Sequence, residues 1–547
     1  MDILVLQLNS KLGALEENVD RAIELIDYAI ETGGEPDLAV LPPFYLSGSP
    51  LGGMAVSGPF QAALNKAHED FASRVKVPVV TVSYVSEALE ELGGMPMVRE
   101  EFCLFADGEL TVLEGEHDML YDLAGVRVGK NDVALMMGDP VLLLDEAPDV
   151  CCLINFVDDA YDIIRPDLVT GEKATDDAEF ARATGSWLIR AARVGAQDCV
   201  VFPGGSYAIS PDGAMATESV LFDEALLRID IPNGGGDDWA ASLEEVEDRD
   251  FGFSIRMDET GLDDEVADWG AICLGTRDYI VKNGFTDVVI GLSGGLDSSV
   301  VATVAADALG AERVHGVLMP SMYSSQGSID DALELAKLLG IETITLPIEE
   351  PFAAFEKVLA EPCGGEVEGL TRENLQARIR TVYLMALSNR YGWVMLNTGN
   401  KSEAAVGYST LYGDTCGAYA PVGNVYKTRL YELAEWRNEQ DPAIPQNVLT
   451  KAPSAELRPD QTDQDSLPPY EVLDGICSLY LEYGCSADAI VEDGFDPADV
   501  DRVLSLITRN EYKRANEPIG PWIDGVSLSD ERKWPITNAY RDKTEQK

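Results

Sequence analysis

Histidine is nearly missing from this sequence: His68, His117 and His315 are the three in 547 residues. That scarcity argues against a histidine-ligated metal centre and against Ser-His-Asp chemistry. The nine cysteines are scattered and form no CxxC pair, so no structural zinc site is expected. No run of about 18 apolar residues occurs, which excludes a predicted transmembrane helix. The opening MDILVLQLNS has no basic stretch and no long apolar core. No signal peptide is therefore expected, and reduced thiols in a cytoplasmic setting are the default. Positive charge is short as well: 40 Lys and Arg stand against 96 Asp and Glu, a formal net charge of −56. A field of that sign disfavours nucleic acid and anionic membrane as partners. One gap is local, since no lysine lies between Lys76 and Lys130.

What is present reads as a globular enzyme of two or more domains, 46% apolar and 25% charged. Residues 1 to about 235 read as mixed α/β. DILVLQLN is a short apolar strand, and Val19, Ile23, Ile26 and Ile30 recur at helical spacing until Gly33 and Gly34 close the helix. DLAVLPPFYLSGSP, VPVVTVSYV and PVLLLDE read as further strands. VVFPGGSYAISPDGAMATESVLFDEALLRIDI reads as strands joined at a Pro-Asp-Gly turn. The Gly- and Asp-rich stretch that follows reads as a linker, and DDEVADWGAICLGTRDYIVKNGF as an amphipathic helix. Strands and helices then alternate, which predicts a doubly wound parallel sheet.

VVIGLSGGLDSSV, Val288 to Val300, is the most informative stretch. An apolar strand meets a glycine loop that opens into a helix, where α/β sheets place their ligands. Gly294 and Gly295 admit an anion close to the backbone, and the helix adds its positive end. Ser293, Ser298 and Ser299 offer hydroxyl donors. Asp297 fits beside a phosphate only with a cation between them, which points to Mg²⁺. The loop lacks the lysine of a P-loop, so simple γ-phosphate hydrolysis is not favoured.

The SGGLDSS pattern resembles the PP-loop ATP pyrophosphatases, which transfer AMP to a substrate oxygen and release pyrophosphate. Downstream, GLTRENLQARIRTVYLMALSNRYGWVMLNTGNKSEAAVGYSTLYGD, KAPSAELRPDQTDQDSLPPYEVLD and RNEYKR resemble segments of the NAD⁺ synthetases, in order, across about 260 to 547. The resemblance implies that Gly291, Leu292, Ser293, Gly294, Gly295, Leu296, Asp297, Ser298, Thr398, Lys427 and Ser454 bind ATP. It implies that Asn374, Arg378, Glu403 and Lys513 contact deamido-NAD⁺. Asp297 and Glu403 would hold Mg²⁺ and be the catalytic pair. Residues 259–547 would form the synthetase domain and 239–258 the linker.

Residues 1–238 resemble the nitrilase-like domain of the longer, glutamine-dependent-type NAD⁺ synthetases, an α-β-β-α sandwich that frees ammonia with a Glu, a Lys and a Cys. Here the three slots are changed. Pro43 stands where the Glu belongs, the loop expected to carry the Lys has none, and Met137 stands at the Cys position. Neither proline nor a thioether can carry the proton or negative charge required. Cys151 and Cys152 are the rival nucleophiles and Lys130 the rival lysine. The expectation is an NAD⁺ synthetase using free ammonia, in a homodimer or larger assembly. The alternatives are a glutamine-hydrolysing enzyme with repositioned residues, another PP-loop amidase such as GMP or asparagine synthetase, and a non-catalytic nucleotide-binding paralogue.

Overall fold

The computed structural model describes residues 1–547 except 90–94, 119, 145–146, 233–238, 247–254, 257–262, 460, 524, 529–531, 538–539, 541 and 545–547. The chain forms two compact units, Met1–Gln197 with Val201–Gly270, and Ala271–Lys547 with Asp198–Val200. Among the described residues no helix is long and apolar enough to cross a membrane.

The first unit holds two seven-stranded sheets. In spatial order the first runs Ala240–Glu245, Ala225–Asp230, Asp2–Gln7, Leu38–Val40, Val79–Leu89, Met95–Ala106 and Glu109–Val112. The second runs Met215–Glu218, Tyr207–Ile209, Trp187–Ala192, Cys152–Val157, Asn131–Gly138, Tyr121–Val128 and Gly115–His117. Alternation along Cys152–Val157 explains the layering. Cys152, Ile154 and Phe156 join a core with strand residues of the first sheet, while Leu153 joins Phe180 and Ala181 of the Glu172–Thr184 helix. The result is the expected α-β-β-α sandwich.

PVLLLDE is not a strand. Pro140–Leu143 is a 3-10 turn, and residues 145–146 lie outside the described ones. The Asp139 carboxylate accepts the Val141 N–H and Pro140 takes the first position, a helix start rather than a ladder. Within the stretch read as a linker, Ala240–Glu245 is a strand paired antiparallel with Ala225–Asp230.

Asp264–Lys282 is a helix, but not amphipathic: residues 267 to 278 are buried throughout. Its buried polar groups are paired, Asp268 with Tyr161 and Arg165, and Thr276 with the Ile272 carbonyl.

The second unit is built on a four-stranded parallel sheet, ordered Glu342–Thr345, Val314–Leu318, Val288–Gly291, Val394–Met395. The chain winds outward from Val288–Gly291 in one direction and then returns to its other side. The order therefore reverses beside that strand, which places the ligand crevice at its carboxyl end.

Candidate active site

Residues 292–295 leave that strand and Leu296–Leu309 begins the next helix, with Gly295 as its N-cap. Gly294 adopts φ 77°, and a Cβ there would lie 2.1 Å from the Ser328 carbonyl oxygen. Only glycine satisfies both demands. Serine hydroxyls hold the loop: Ser293 Oγ accepts the Gly295 N–H at 3.1 Å and lies 3.0 Å from Ser298 Oγ. Ser299 is fully buried and donates to the Gly295 carbonyl, so it braces the turn rather than facing a ligand.

A cavity of ≈ 450 Å³ opens at this place. Of the sequence-predicted residues its wall contains Gly291, Leu292, Ser293, Gly295, Leu296, Asp297, Ser298, Thr398, Glu403, Lys427 and Ser454. Asp297, in the first turn of the loop helix, anchors it. Lys427 Nζ donates to one of its carboxylate oxygens at 2.5 Å and Asn400 Nδ2 to the other at 2.7 Å. Asn400 also caps the short helix Lys401–Val406 by accepting the Glu403 N–H at 3.0 Å. One amide therefore fixes both carboxylate residues. Asn400 was not singled out in the sequence, although Asn followed three residues later by Glu is a helix-start pattern.

Lys427 is fixed in turn. Its N–H donates to Ser402 Oγ, which donates to Asp474, and Asp474 accepts both the N–H and hydroxyl of Thr428.

The electrostatics are lopsided. Burial and the neighbouring Asp297 push the Glu403 carboxyl well above the usual range, with Lys427 opposing. Burial works against the Lys427 charge, but Asp297 and Glu403 outweigh it and raise its pKa. Among the described residues no side chain donates a hydrogen bond to the Glu403 carboxylate. Two hard-oxygen donors that repel each other across a cavity fit a divalent cation shared with phosphate oxygens. No group of three or more His, Cys, Asp or Glu gathers as a metal site among the described residues. Further acids line the wall: Asp463, bonded by Tyr470 and Tyr408, and Asp414, which burial pushes up to about 6.

Three predicted substrate residues sit elsewhere. Asn374 accepts from Thr410 Oγ1 at 3.0 Å, and Arg378 donates to the Leu411 carbonyl at 3.2 and 3.1 Å. Lys513 Nζ donates to the carbonyls of Gly407 and Ser409, both at 2.6 Å. All three converge on residues 407–411 and hold that segment, while neither they nor Gly294 are in the cavity wall. Ser454 lines the wall, but its hydroxyl donates to the Gln461 carbonyl within its own loop.

The first unit presents different chemistry. Pro43 is buried, and Phe44 beside it stacks on Tyr84 with ring centroids 4.4 Å apart. Met137 faces Asp122 on one neighbouring strand and Phe156 on the other, packed against the apolar core. Cys152 is fully buried, and burial raises its thiol well above the ordinary value. Cys151 is raised by burial too, and its Sγ donates to the Asp132 carbonyl. Lys130 is exposed in the turn between two strands.

A parallel sheet with a glycine loop at its switch point, a carboxylate in the loop helix and a second carboxylate on the same cavity wall fits the α/β class of nucleotide-using enzymes. A family model for NAD synthase matches residues 268–517. The chain is 36% identical to the glutamine-dependent NAD(+) synthetase of Thermotoga maritima, over 99% of each chain. It is 44% identical to that of Rhodobacter capsulatus over 66% of this chain and 65% of the relative. The glutamine-dependent NAD+ synthetase of Acinetobacter baumannii, solved with ADP, superposes with TM-score 0.69 at 27% identity over 99% of both chains. The chain belongs to the glutamine-dependent NAD(+) synthetase family and is a ligase.

Proposed function

We propose that this enzyme converts deamido-NAD⁺ to NAD⁺ with ATP, and that its nitrogen comes from free ammonia. The nicotinate carboxylate attacks the α-phosphorus of ATP and pyrophosphate leaves. Ammonia then attacks the acyl-adenylate carbonyl and AMP departs. The observation that carries the reading is the Lys427–Asp297–Asn400 contact beside Glu403, inside the cavity at the loop.

Asp297 and Glu403 would hold Mg²⁺, which when bound neutralises phosphate charge. The chain's own part is positioning and charge. The loop and the amino end of the Leu296–Leu309 helix bind phosphate oxygens. Lys427, locked through Ser402 and Asp474, adds a fixed positive charge where negative charge develops. Asn374, Arg378 and Lys513 act by shaping residues 407–411, and through them the dinucleotide's seat. No protein nucleophile is required, so the rate rests on orientation and preorganised electrostatics.

Glutamine hydrolysis is excluded from this proposal because Pro43 and Met137 occupy two of the three working positions, and burial holds the rival thiols protonated. The first unit is then a structural domain. A cytoplasmic homodimer or larger assembly is the proposed working form. Exposed Val382 and Met385 on the Gly369–Tyr391 helix, and Phe355 and Val358 on Glu349–Leu359, support an interface.

The test is product stoichiometry. Purified enzyme with ATP, deamido-NAD⁺ and ammonium should yield NAD⁺, AMP and pyrophosphate in equal amounts. ADP with phosphate in their place would sink the adenylation reading.

A further inference from the structure

The segment RENLQARIR carries Arg372, Arg378 and Arg380, and the resemblance singles out Arg378 and leaves Arg380 without a role. Two residues apart on a helix, Arg378 and Arg380 point to nearly opposite sides. Arg378 is spent on the Leu411 carbonyl. Arg380 is in the cavity wall.

Arg380 is held at one point. Its Nε donates at 3.1 Å to the carbonyl of Met319, the residue after the Val314–Leu318 strand. Met319 reaches the strand that leads into the loop, since a Cβ on Gly291 would lie 3.1 Å from its methyl group. The guanidinium is thus anchored to the residue whose side chain packs on Gly291, the last residue of the strand that leads into the loop. Among the described residues nothing accepts a hydrogen bond from its two terminal nitrogens, and no carboxylate lies within ion-pairing distance. Asp414 and Glu456 act on it only from farther off, and burial pulls its pKa down to about 10 despite them. It still carries its charge at neutral pH.

An unpaired cation recessed in protein is destabilising, and such groups are kept where a ligand completes them. A guanidinium with two adjacent free nitrogens matches two oxygens of one phosphate. Carboxylates of the protein, the other matching group, are not in reach.

We propose that Arg380 is a phosphate-binding residue of this cavity, its two terminal nitrogens gripping a phosphate of ATP or of the dinucleotide substrate. The kinetic part of the claim rests on the NAD⁺-forming reading above. The binding part does not.

The experiment uses the full chain with Arg380→Ala and Arg380→Lys. Thermal unfolding is followed without ligand, with MgATP alone, with deamido-NAD⁺ alone and with pyrophosphate alone, and kcat/KM is measured for each substrate. Without ligand, Arg380→Ala should melt close to the wild-type temperature, because the half-buried guanidinium makes one hydrogen bond and no ion pair. The upward shift given by the phosphate ligand should shrink. The kcat/KM for that substrate should fall roughly 10- to 100-fold, with Arg380→Lys between the two. A loss confined to ATP assigns the phosphate to ATP, and a loss confined to deamido-NAD⁺ assigns it to the dinucleotide. Wild-type affinity for both ligands overturns the inference, whether or not Arg380→Ala melts lower. If wild type binds ATP through Arg380 but forms no NAD⁺, the functional reading fails and this one stands.

Discussion

At the carboxyl end of Val288–Gly291 the second unit gathers Asp297, Asn400, Glu403 and Lys427 around a cavity. At the end of Asn131–Gly138 the first unit sets Met137 between Asp122 and Phe156, and after Leu38–Val40 it stacks Phe44 on Tyr84. Both are strand ends in α/β architecture. One keeps charges that the fold must strain to hold, with Glu403 pushed up by burial and by Asp297. The other presents carbon that packs, with Pro43 buried and Met137 against the apolar core. On the proposed reading, the site under functional demand retains electrostatic frustration, and the first unit's strand end is free to pack as ordinary core.

The largest test of this contrast is Asp297→Asn. It removes the negative charge that Lys427 and Asn400 grip, and NAD⁺ formation should fall on the order of 10³-fold. Undiminished turnover would remove Asp297 from the chemistry.

Asn400→Ala comes next. It loses a bond to Asp297 and the cap of Lys401–Val406 together. Activity should drop roughly 10- to 100-fold, as for partners that orient a functional carboxylate. Stability should fall by about 1 kcal/mol, read by chemical denaturation.

A pH experiment probes the stored charge. Glu517 lines the same cavity, and burial, with a lesser contribution from Asp414, pushes its carboxyl up to about 7. Its folded pKa lies above the unfolded value, so the fold favours the protonated acid. That advantage is complete below about pH 4.5 and disappears as pH rises through 7. Glu517→Gln should therefore gain on wild type between pH 5 and pH 8, by about 2 kcal/mol, in unfolding followed at each pH. A constant difference across that range would show that Glu517 titrates normally.

The smallest effects belong to the first unit. Met137→Ala should leave ammonium-driven turnover unchanged, and so should Cys152→Ala, apart from stability lost with a buried side chain. A large loss of kcat with an intact fold would break the contrast.

The loop and its strand-end position were legible because they depend on local pattern: an apolar run, glycines, a helix start. Thr398 and Lys427 followed from resemblance and do line the cavity. Arg378 and Asn374 show where sequence stops. Their spacing gives a shared face and both do reach residues 407–411, but spacing cannot say which side of the helix faces the cavity. That depends on how Gly369–Tyr391 packs against the sheet, and the cavity wall holds Arg380 of the same helix. PVLLLDE misled for a related reason. Its apolar content satisfied a strand pattern, while Asp139 and Pro140 fixed the backbone locally as a turn. The Asp264–Lys282 helix looked amphipathic because its buried Asp268 and Thr276 have partners that a sequence does not display.

The most direct test of the central claim is a paired assay of nitrogen donors on the purified full chain. Initial rates of NAD⁺ formation are measured with ammonium or with glutamine, at saturating ATP and deamido-NAD⁺. The account predicts sustained turnover with ammonium and a rate with glutamine no greater than the donor-free blank. Robust glutamine-driven turnover, lost on replacing Cys151 or Cys152 but kept in Met137→Ala, would contradict it.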